Sequence, residues 1–209
     1  MRVGDSSLLI EIHDRVAVVR FNRPRQRNSL TVSTLQEFSN TLSGLLVRPD
    51  IQAIILTGTG DVFASGADIS ELVQLTPGAA HDFSRLGQQT FQQIADARQV
   101  TIAAINGYCM GGGLDLALAC DIRVASTDAV LSHPGAKRGI ITGWGGTQRL
   151  PRLIGGHRAL DLFLTARLIG SEEALQIGLI SSICDPVLTC ALQLASSDPV
   201  KTTTTSRSN

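Results

Sequence analysis

Two glycine-containing segments, each following an apolar run that predicts a buried strand, constrain this chain more than any other feature. They are residues 63–69, Phe-Ala-Ser-Gly-Ala-Asp-Ile, and residues 107–115, Gly-Tyr-Cys-Met-Gly-Gly-Gly-Leu-Asp. Glycine lets the backbone turn sharply and approach a ligand closely. Two such turns can direct two main-chain N–H groups at one oxygen, and donors held by the backbone stabilise an oxyanion without reorganising. The pair therefore predicts a chain suited to stabilising an enolate.

The second segment predicts a strand that restarts as a helix at its three consecutive glycines. The first amides of a helix have no partner within the helix, and the helix dipole there favours negative charge, so Gly112 is the expected donor. A phosphate-binding loop is disfavoured because no Lys-Ser or Lys-Thr pair follows the glycines, and the spacing of the dinucleotide fingerprint is absent from both segments. On glycine spacing alone, a plain strand-to-helix joint remains the alternative.

Asp115 is the candidate acid–base group. It lies three residues after Gly112, which places the two on one face of a helix, one turn apart. Its carboxylate can therefore reach a substrate held at Gly112. The alternative is an acidic residue that simply complements the helix dipole in the first turn.

The order of the predicted elements indicates one α/β domain over residues 1–195. Apolar patterning predicts strands at 8–12, 16–21, 53–57, 101–106 and 122–125, and helices at 31–47, 81–97 and 112–119, with further helices opening near Gly145 and Gly170. Residues 196–209 contain four consecutive threonines and few apolar side chains. We expect this tail to be loose.

Composition excludes several classes of function. The 209 residues carry 18 basic and 18 acidic side chains, so no overall field attracts nucleic acid or an anionic membrane. No apolar run approaches the length of a membrane span, and the N-terminus has no signal-peptide pattern. The four cysteines and four histidines form no metal-ligand spacing. We expect no bound metal, reduced cysteines and a cytoplasmic location.

Six short motifs spread over most of the chain resemble the crotonase, or enoyl-CoA hydratase/isomerase, superfamily. They are Asn22-Arg23-Pro24, Phe63-Ala64-Ser65-Gly66-Ala67-Asp68, Ala103-Ala104-Ile105-Asn106-Gly107-Tyr108, Gly111-Gly112-Gly113, Cys120-Asp121-Ile122 and Gly145-Gly146-Thr147-Gln148-Arg149-Leu150-Pro151. The resemblance implies a spiral of ββα units that binds acyl-CoA thioesters and assembles as a homotrimer or homohexamer. It implies no separate cofactor, since coenzyme A is part of the substrate.

The resemblance also assigns residues to the site. It places the oxyanion hole on the N–H groups of Ala67 and Gly112, and the first acid of the hydratases on Asp115. It places further substrate contacts at Ala64, Gly66, Asp68, Ile69 and Gly111. In the family, the segment that carries Arg25 and Arg27 lies near the coenzyme A nucleotide, although arginines in a turn are more often simply solvated.

The second acid of the hydratases falls on Gly135, and the further aspartate of the dienoyl-CoA isomerase branch falls near Gly143. One carboxylate can remove a proton and return it during a double-bond shift, whereas hydration usually needs two groups. Isomerisation therefore suits Asp115 better than hydration, and decarboxylation of a malonyl-type thioester needs even less. His133 is expected to be solvated rather than catalytic, and Trp144 either lines the acyl pocket or packs in the core.

Family members usually continue beyond residue 180 with helices that cover the acyl pocket, and here the chain soon becomes rich in serine and threonine. The resemblance thus implies a shortened C-terminal helical region. Two hypotheses follow: an acyl-CoA enzyme that works through an enolate, and a crotonase-like scaffold that binds thioesters without catalysis. The glycine turns and Asp115 favour the enzyme.

Overall fold

The computed structural model describes residues 6–197, which form ten strands and eight helices. The strands are β1 (Leu8–His13), β2 (Val16–Phe21), β3 (Ala53–Gly58), β4 (Val62–Ala64), β5 (Val100–Ile105), β6 (Tyr108–Met110), β7 (Ile122–Ala125), β8 (Val130–Ser132), β9 (Ile169–Gly170) and β10 (Ser182–Ile183). The helices are α1 (Val32–Leu46), α2 (Ile69–Leu72), α3 (Pro77–Ala95), α4 (Gly112–Ala119), α5 (Gly146–Ile154), α6 (Gly156–Thr165), α7 (Ser171–Gln176) and α8 (Val187–Ser196).

The strands form two sheets that the chain visits alternately. The larger sheet has the order β1-β2-β3-β5-β7-β10 and the smaller one β4-β6-β8-β9. Three successive pairs, β3 with β4, β5 with β6 and β7 with β8, each place one strand in each sheet, and parallel pairing joins them to the next turn of the chain. This arrangement confirms the predicted α/β fold of ββα units.

The larger sheet is covered on both faces, which explains why its central strands are apolar throughout. Ile54 and Leu56 of β3 point into the main core between the sheets and helices. Ile55 points to the opposite face, where it belongs to a second cluster with Val187 of α8. Continuous burial of β3 and β5 therefore follows from a parallel sheet with helices on both sides.

Strands β1, β2, β3, β5 and β7 and helices α1, α3, α4, α5 and α7 lie close to where the sequence predicts them, whereas the ten-residue helices α6 and α8 were not predicted. Helix α1 begins after Thr31, whose side chain accepts a hydrogen bond from the Thr34 amide. Helix α3 begins four residues earlier than predicted because Thr76 caps it and Pro77 occupies its first position. The short strands β4, β6 and β8 were not predicted, since three residues are too few to show a periodic pattern.

Two expectations concern the end of the chain. The prediction that all four cysteines are reduced is wrong for Cys184 and Cys190, which form a disulfide; the turn that leads from β10 into α8 brings their Cα atoms to 6.5 Å. Cys109 and Cys120 are free and buried. The predicted loose tail lies mostly outside the described residues, although Ser196 still belongs to α8. Within residues 6–197, no helix is long and apolar enough to cross a bilayer.

Candidate active site

The two glycine turns leave neighbouring strands of the smaller sheet. Strands β4 and β6 are parallel and paired through Val62 with Tyr108 and through Ala64 with Cys109, so the turns that follow them start side by side. The side chain of Asn106 fixes the segments before both turns. Its amide oxygen accepts from the Gly58 amide at 2.9 Å, and its amide nitrogen donates to the Gly60 carbonyl at 2.9 Å.

The turns meet at Gly66 and Gly112. A β-carbon built on Gly66 would lie 2.6 Å from the Gly112 amide nitrogen and 2.9 Å from the Met110 carbonyl oxygen, so only glycine allows this approach. Gly66 also has a φ of +85°, which side chains disfavour. Within residues 6–197, neither the Ala67 amide nor the Gly112 amide donates to a protein acceptor. Both amides are thus available at one place.

A cavity of about 240 Å³ opens beside these two amides. Ala67, Gly111, Gly112 and His133 line one part of it. Its remaining wall is largely apolar and includes Ile69, Leu72, Phe83, Ile140, Ile141, Trp144 and Phe163. A concave apolar site with a few polar groups at one end is the usual form of a small-molecule site.

Asp115 lies behind this cavity rather than in its lining. It is fully buried in α4, and its Oδ2 accepts hydrogen bonds from the Thr142 hydroxyl and from the Trp144 amide, the latter at 3.2 Å. Burial raises the pKa of Asp115 to about 6, and the bonds from Thr142 and Trp144 oppose that rise. The predicted catalytic role of Asp115 therefore requires a route from its carboxylate to the cavity.

Two polar side chains that line the cavity approach the Asp115 carboxylate: Thr142, through the hydrogen bond just described, and His133. Its Nε2 lies 3.6 Å from Asp115 Oδ1, and its ring lies 4.9 Å from the ring of Phe163. The expectation of a solvated side chain is wrong, since only 4% of His133 is exposed. The strand β8 ends inside the fold, and the segment before Pro134 is still enclosed there. Burial lowers the pKa of His133 to about 4.

Trp144 both lines the cavity and packs in the core, so the two alternatives left open by the sequence coexist. Its ring lies 5.1 Å from that of Phe83 and 5.5 Å from that of Phe91, in edge-to-face geometry. It also covers Gly112 and Gly87, where a β-carbon would collide with the indole. The indole therefore holds the loop before α5 against α3 and α4.

The other predicted site residues divide into two groups. Ile69 and Gly111 line the cavity, whereas Ala64 is buried in β4 and Asp68 caps α2 by accepting from the Ser70 amide at 3.0 Å. A hydrogen bond from Ser70 lowers the pKa of Asp68. These last two residues hold the first turn in shape, and substrate contact by either remains a prediction.

Arg25 and Arg27 lie in and just after a 3₁₀ turn at Pro24–Gln26, and both are exposed. They do not line the cavity. The Arg27 guanidinium lies 5.3 Å from the centre of the Tyr108 ring, which belongs to β6. This cation–π contact ties Arg27 to the strand that leads into the second glycine turn.

Sequence reasoning missed the roles of Thr142 and Phe163. Thr142 donates to Asp115, and Phe163 packs on His133 from α6. Neither belongs to a motif, and both are more than 25 residues from their partners in the chain. The nearest signal was the dense run of glycines and an aromatic residue at 143–146, which marks a constrained loop.

Comparison with known proteins shows the family of this chain. A family model described as enoyl-CoA hydratase/isomerase matches residues 11–197. The chain is 39% identical over 181 residues to a crotonyl-CoA hydratase of Syntrophomonas wolfei, which covers 86% of this chain and 70% of that protein. It is also 39% identical to a short-chain-enoyl-CoA hydratase of Clostridium acetobutylicum, over 87% of this chain and 70% of the relative.

Solved structures give the same result. The crystal structure of an enoyl-CoA hydratase from Bacillus anthracis superposes with a TM-score of 0.88 at 35% identity, covering 91% of this chain and 75% of that one. The chain therefore belongs to the enoyl-CoA hydratase/isomerase family. The resemblance inferred from the sequence motifs is confirmed, and so is the prediction of an acyl-CoA enzyme of this family.

Proposed function

We propose that this protein adds water to the double bond of a short 2-enoyl-CoA thioester, through an enolate held by the Ala67 and Gly112 amides. The observation that carries the proposal is the approach of Gly66 to Gly112, which brings two unpaired amides to one end of an apolar cavity. A thioester carbonyl bound there would receive two hydrogen bonds as negative charge builds on its oxygen. Each such donor contributes about 3 kcal/mol to transition-state stabilisation in enzymes where one was removed.

The names of two relatives, crotonyl-CoA hydratase and short-chain-enoyl-CoA hydratase, support hydration and a short acyl chain. The cavity of about 240 Å³ agrees with a short chain. Shift of the double bond between C2 and C3 is the second candidate. It is supported by the presence of one carboxylate, Asp115, at the site, because one base can remove and return the same proton.

The proposal includes the binding of coenzyme A along the surface that carries Arg25 and Arg27, whose guanidinium groups suit phosphate oxygens. It needs no further cofactor, since the thioester itself supplies the activated carbonyl. A homotrimer or homohexamer and a cytoplasmic location remain predictions based on the family resemblance.

The test is to mix the purified protein with crotonyl-CoA, a 3-enoyl-CoA and a malonyl-type thioester, and to follow each reaction by absorbance and mass. We expect 3-hydroxybutyryl-CoA from crotonyl-CoA as the fastest product. Faster conversion of the 3-enoyl thioester would establish isomerisation instead, and loss of carbon dioxide from the malonyl thioester would establish decarboxylation. Thioester binding without any turnover would show a non-catalytic scaffold and reject the proposal.

A further inference from the structure

The loop after His133 has no room for a second acid. A β-carbon built on Gly135 would lie 2.5 Å from the carbonyl oxygen of Ile140, a main-chain atom that cannot swing away. The Ile140 amide also donates to the Gly135 carbonyl at 3.1 Å, which closes the loop on itself. Any side chain at position 135 would open this turn. An acid–base group beside Asp115 must therefore come from another position than 135.

His133 has the properties that such a group needs. It is 96% buried, lines the cavity with Gly112, and its two ring nitrogens have no hydrogen-bond partner among residues 6–197. A buried polar group without a partner costs about 1–3 kcal/mol. Structural histidines normally avoid that cost by bonding to a carbonyl or a carboxylate. An unpaired imidazole in the wall of a substrate cavity is instead ready to bond to a ligand or a reacting water.

The surroundings of His133 favour proton transfer. Asp115 Oδ1, which also has no hydrogen-bond partner among the described residues, lies 3.6 Å from its Nε2, and Phe163 covers the ring from α6. Three other groups that can carry charge belong to this surrounding. Arg149 of α5 interacts with the Asp115 carboxylate, the Cys109 thiol of β6 is buried beside that carboxylate, and Arg138 lines the exposed side of the cavity.

We propose that His133 is the acid–base residue of this site and that Asp115 is its positioning and charge-stabilising partner; the inference rests on the proposed hydration. His133 takes one proton from water as the water oxygen bonds to C3. The electron pair of the C2–C3 double bond moves toward the thioester, whose oxygen becomes the enolate oxygen. The enolate then collapses, and His133 returns the proton to C2. One water is consumed, no charge is left on the protein, and no co-reactant is required.

The charge states agree with these roles. With a pKa of about 6, Asp115 is ionised at neutral pH, and with a pKa of about 4, His133 is neutral and can accept a proton. When His133 becomes an imidazolium during the reaction, the carboxylate at 3.6 Å stabilises it. Protonation of Asp115 removes that stabilisation, so the rate should fall as the pH drops through about 6.

The experiment compares crotonyl-CoA hydration by the wild type, His133→Gln, His133→Ala, Asp115→Asn and the control His157→Gln. His157 lies exposed on α6, outside the cavity lining. We expect kcat to fall about 100-fold or more in His133→Gln with little change in KM, because general acid–base groups contribute about 10²–10⁴-fold. The control should match the wild type. Added imidazole should restore part of the rate in His133→Ala, which loss of structure alone would not allow.

The pH profile gives a second readout. We expect kcat/KM of the wild type to decline below about pH 6, and this limb to be absent in Asp115→Asn. A His133→Gln enzyme with the wild-type kcat would overturn the inference and leave the proposed function standing. If the wild type hydrates no enoyl thioester, the proposed function fails first. In that case, deuterium exchange at C2 of butyryl-CoA tests the role of His133. If the wild type shows no exchange, or if His133→Gln exchanges as fast as the wild type, that role is rejected as well.

Discussion

The two glycine turns and the loop 133–146 line the same cavity but are built in different ways. The turns leave paired parallel strands, and their shape is set by main-chain contacts such as that of Gly66 with Gly112. The loop instead joins β8 to α5 and is partly exposed, and its contribution to the site depends on the side chains of His133, Thr142 and Trp144.

The difference corresponds to two requirements of the proposed reaction, the stabilisation of an oxyanion and the transfer of a proton. Donors for an oxyanion must not move, and main-chain amides at strand ends meet that requirement. Groups that exchange protons must have suitable pKa values, which depend on burial and on neighbouring charges. In the proposed mechanism, the turns stabilise the enolate and the loop supplies the group that transfers the proton. Two predictions test this division, and a third tests the surface outside both regions.

The largest expected loss of activity follows a substitution in the first glycine turn, where main-chain contacts set the shape of the site. Gly66→Ala places a β-carbon 2.6 Å from the Gly112 amide nitrogen and should separate the two amides. We expect kcat/KM for crotonyl-CoA to fall about 10²–10³-fold, the loss reported for one oxyanion donor. The control is Gly178→Ala, which has a similar φ of +78° but no atom near its β-carbon. Equal activity in both variants would show that strain at positive φ, and not the approach of the turns, explains any loss.

The second prediction concerns the proton-handling side and is measured as stability against pH. The folded state raises the pKa of Asp115 from 3.8 to about 6, so this residue stabilises the fold below pH 4 and loses that contribution as the pH rises through 6. The folded state lowers the pKa of His133 from 6.5 to about 4, so its contribution is present above 6.5 and is lost as the pH falls through 4. The two contributions oppose each other between pH 4 and 6.

Replacing either residue should reveal the pH dependence of stability that the other residue contributes. As the pH rises from 4 to 6, the free energy of unfolding of His133→Gln should fall by about 3 kcal/mol relative to the wild type, because only Asp115 then titrates. Over the same range, that of Asp115→Asn should rise by about as much, because only His133 then titrates. Urea unfolding at several pH values measures both. Identical pH dependence in the two variants and the wild type would contradict the assigned burial of this pair.

The smallest effect lies outside both regions. Arg25→Ala and Arg27→Ala should each raise KM for crotonyl-CoA about threefold to tenfold at low salt, with kcat unchanged, because exposed ion pairs contribute about 1 kcal/mol. The difference should shrink at high salt. Arg98→Ala is the matched control, since this exposed arginine precedes β5, at the opposite end of that strand from the second glycine turn. An unchanged KM in both variants would remove these arginines from the binding surface.

Much of the fold was readable from the sequence. The burial of β3 and β5 follows from apolar runs, and the caps of α1 and the position of α4 follow from Thr31 and from the three glycines. These signals are local, since they concern hydrogen bonds and side chains a few residues apart. The short strands of the smaller sheet were not readable, because three residues are too few to show a periodic pattern and only their pairing in the folded chain defines them.

The sequence by itself determined the two turns, the amides of Ala67 and Gly112 that they present, and membership of the family. Only the tertiary structure decided the placement of the proposed acid–base pair, Asp115 and His133. In the folded chain, Asp115 lies outside the cavity lining, His133 is buried in that lining, and no space is left for a side chain at Gly135. The physical reason is that a turn is specified by its own residues, whereas the burial and pKa of a side chain depend on every element that packs around it.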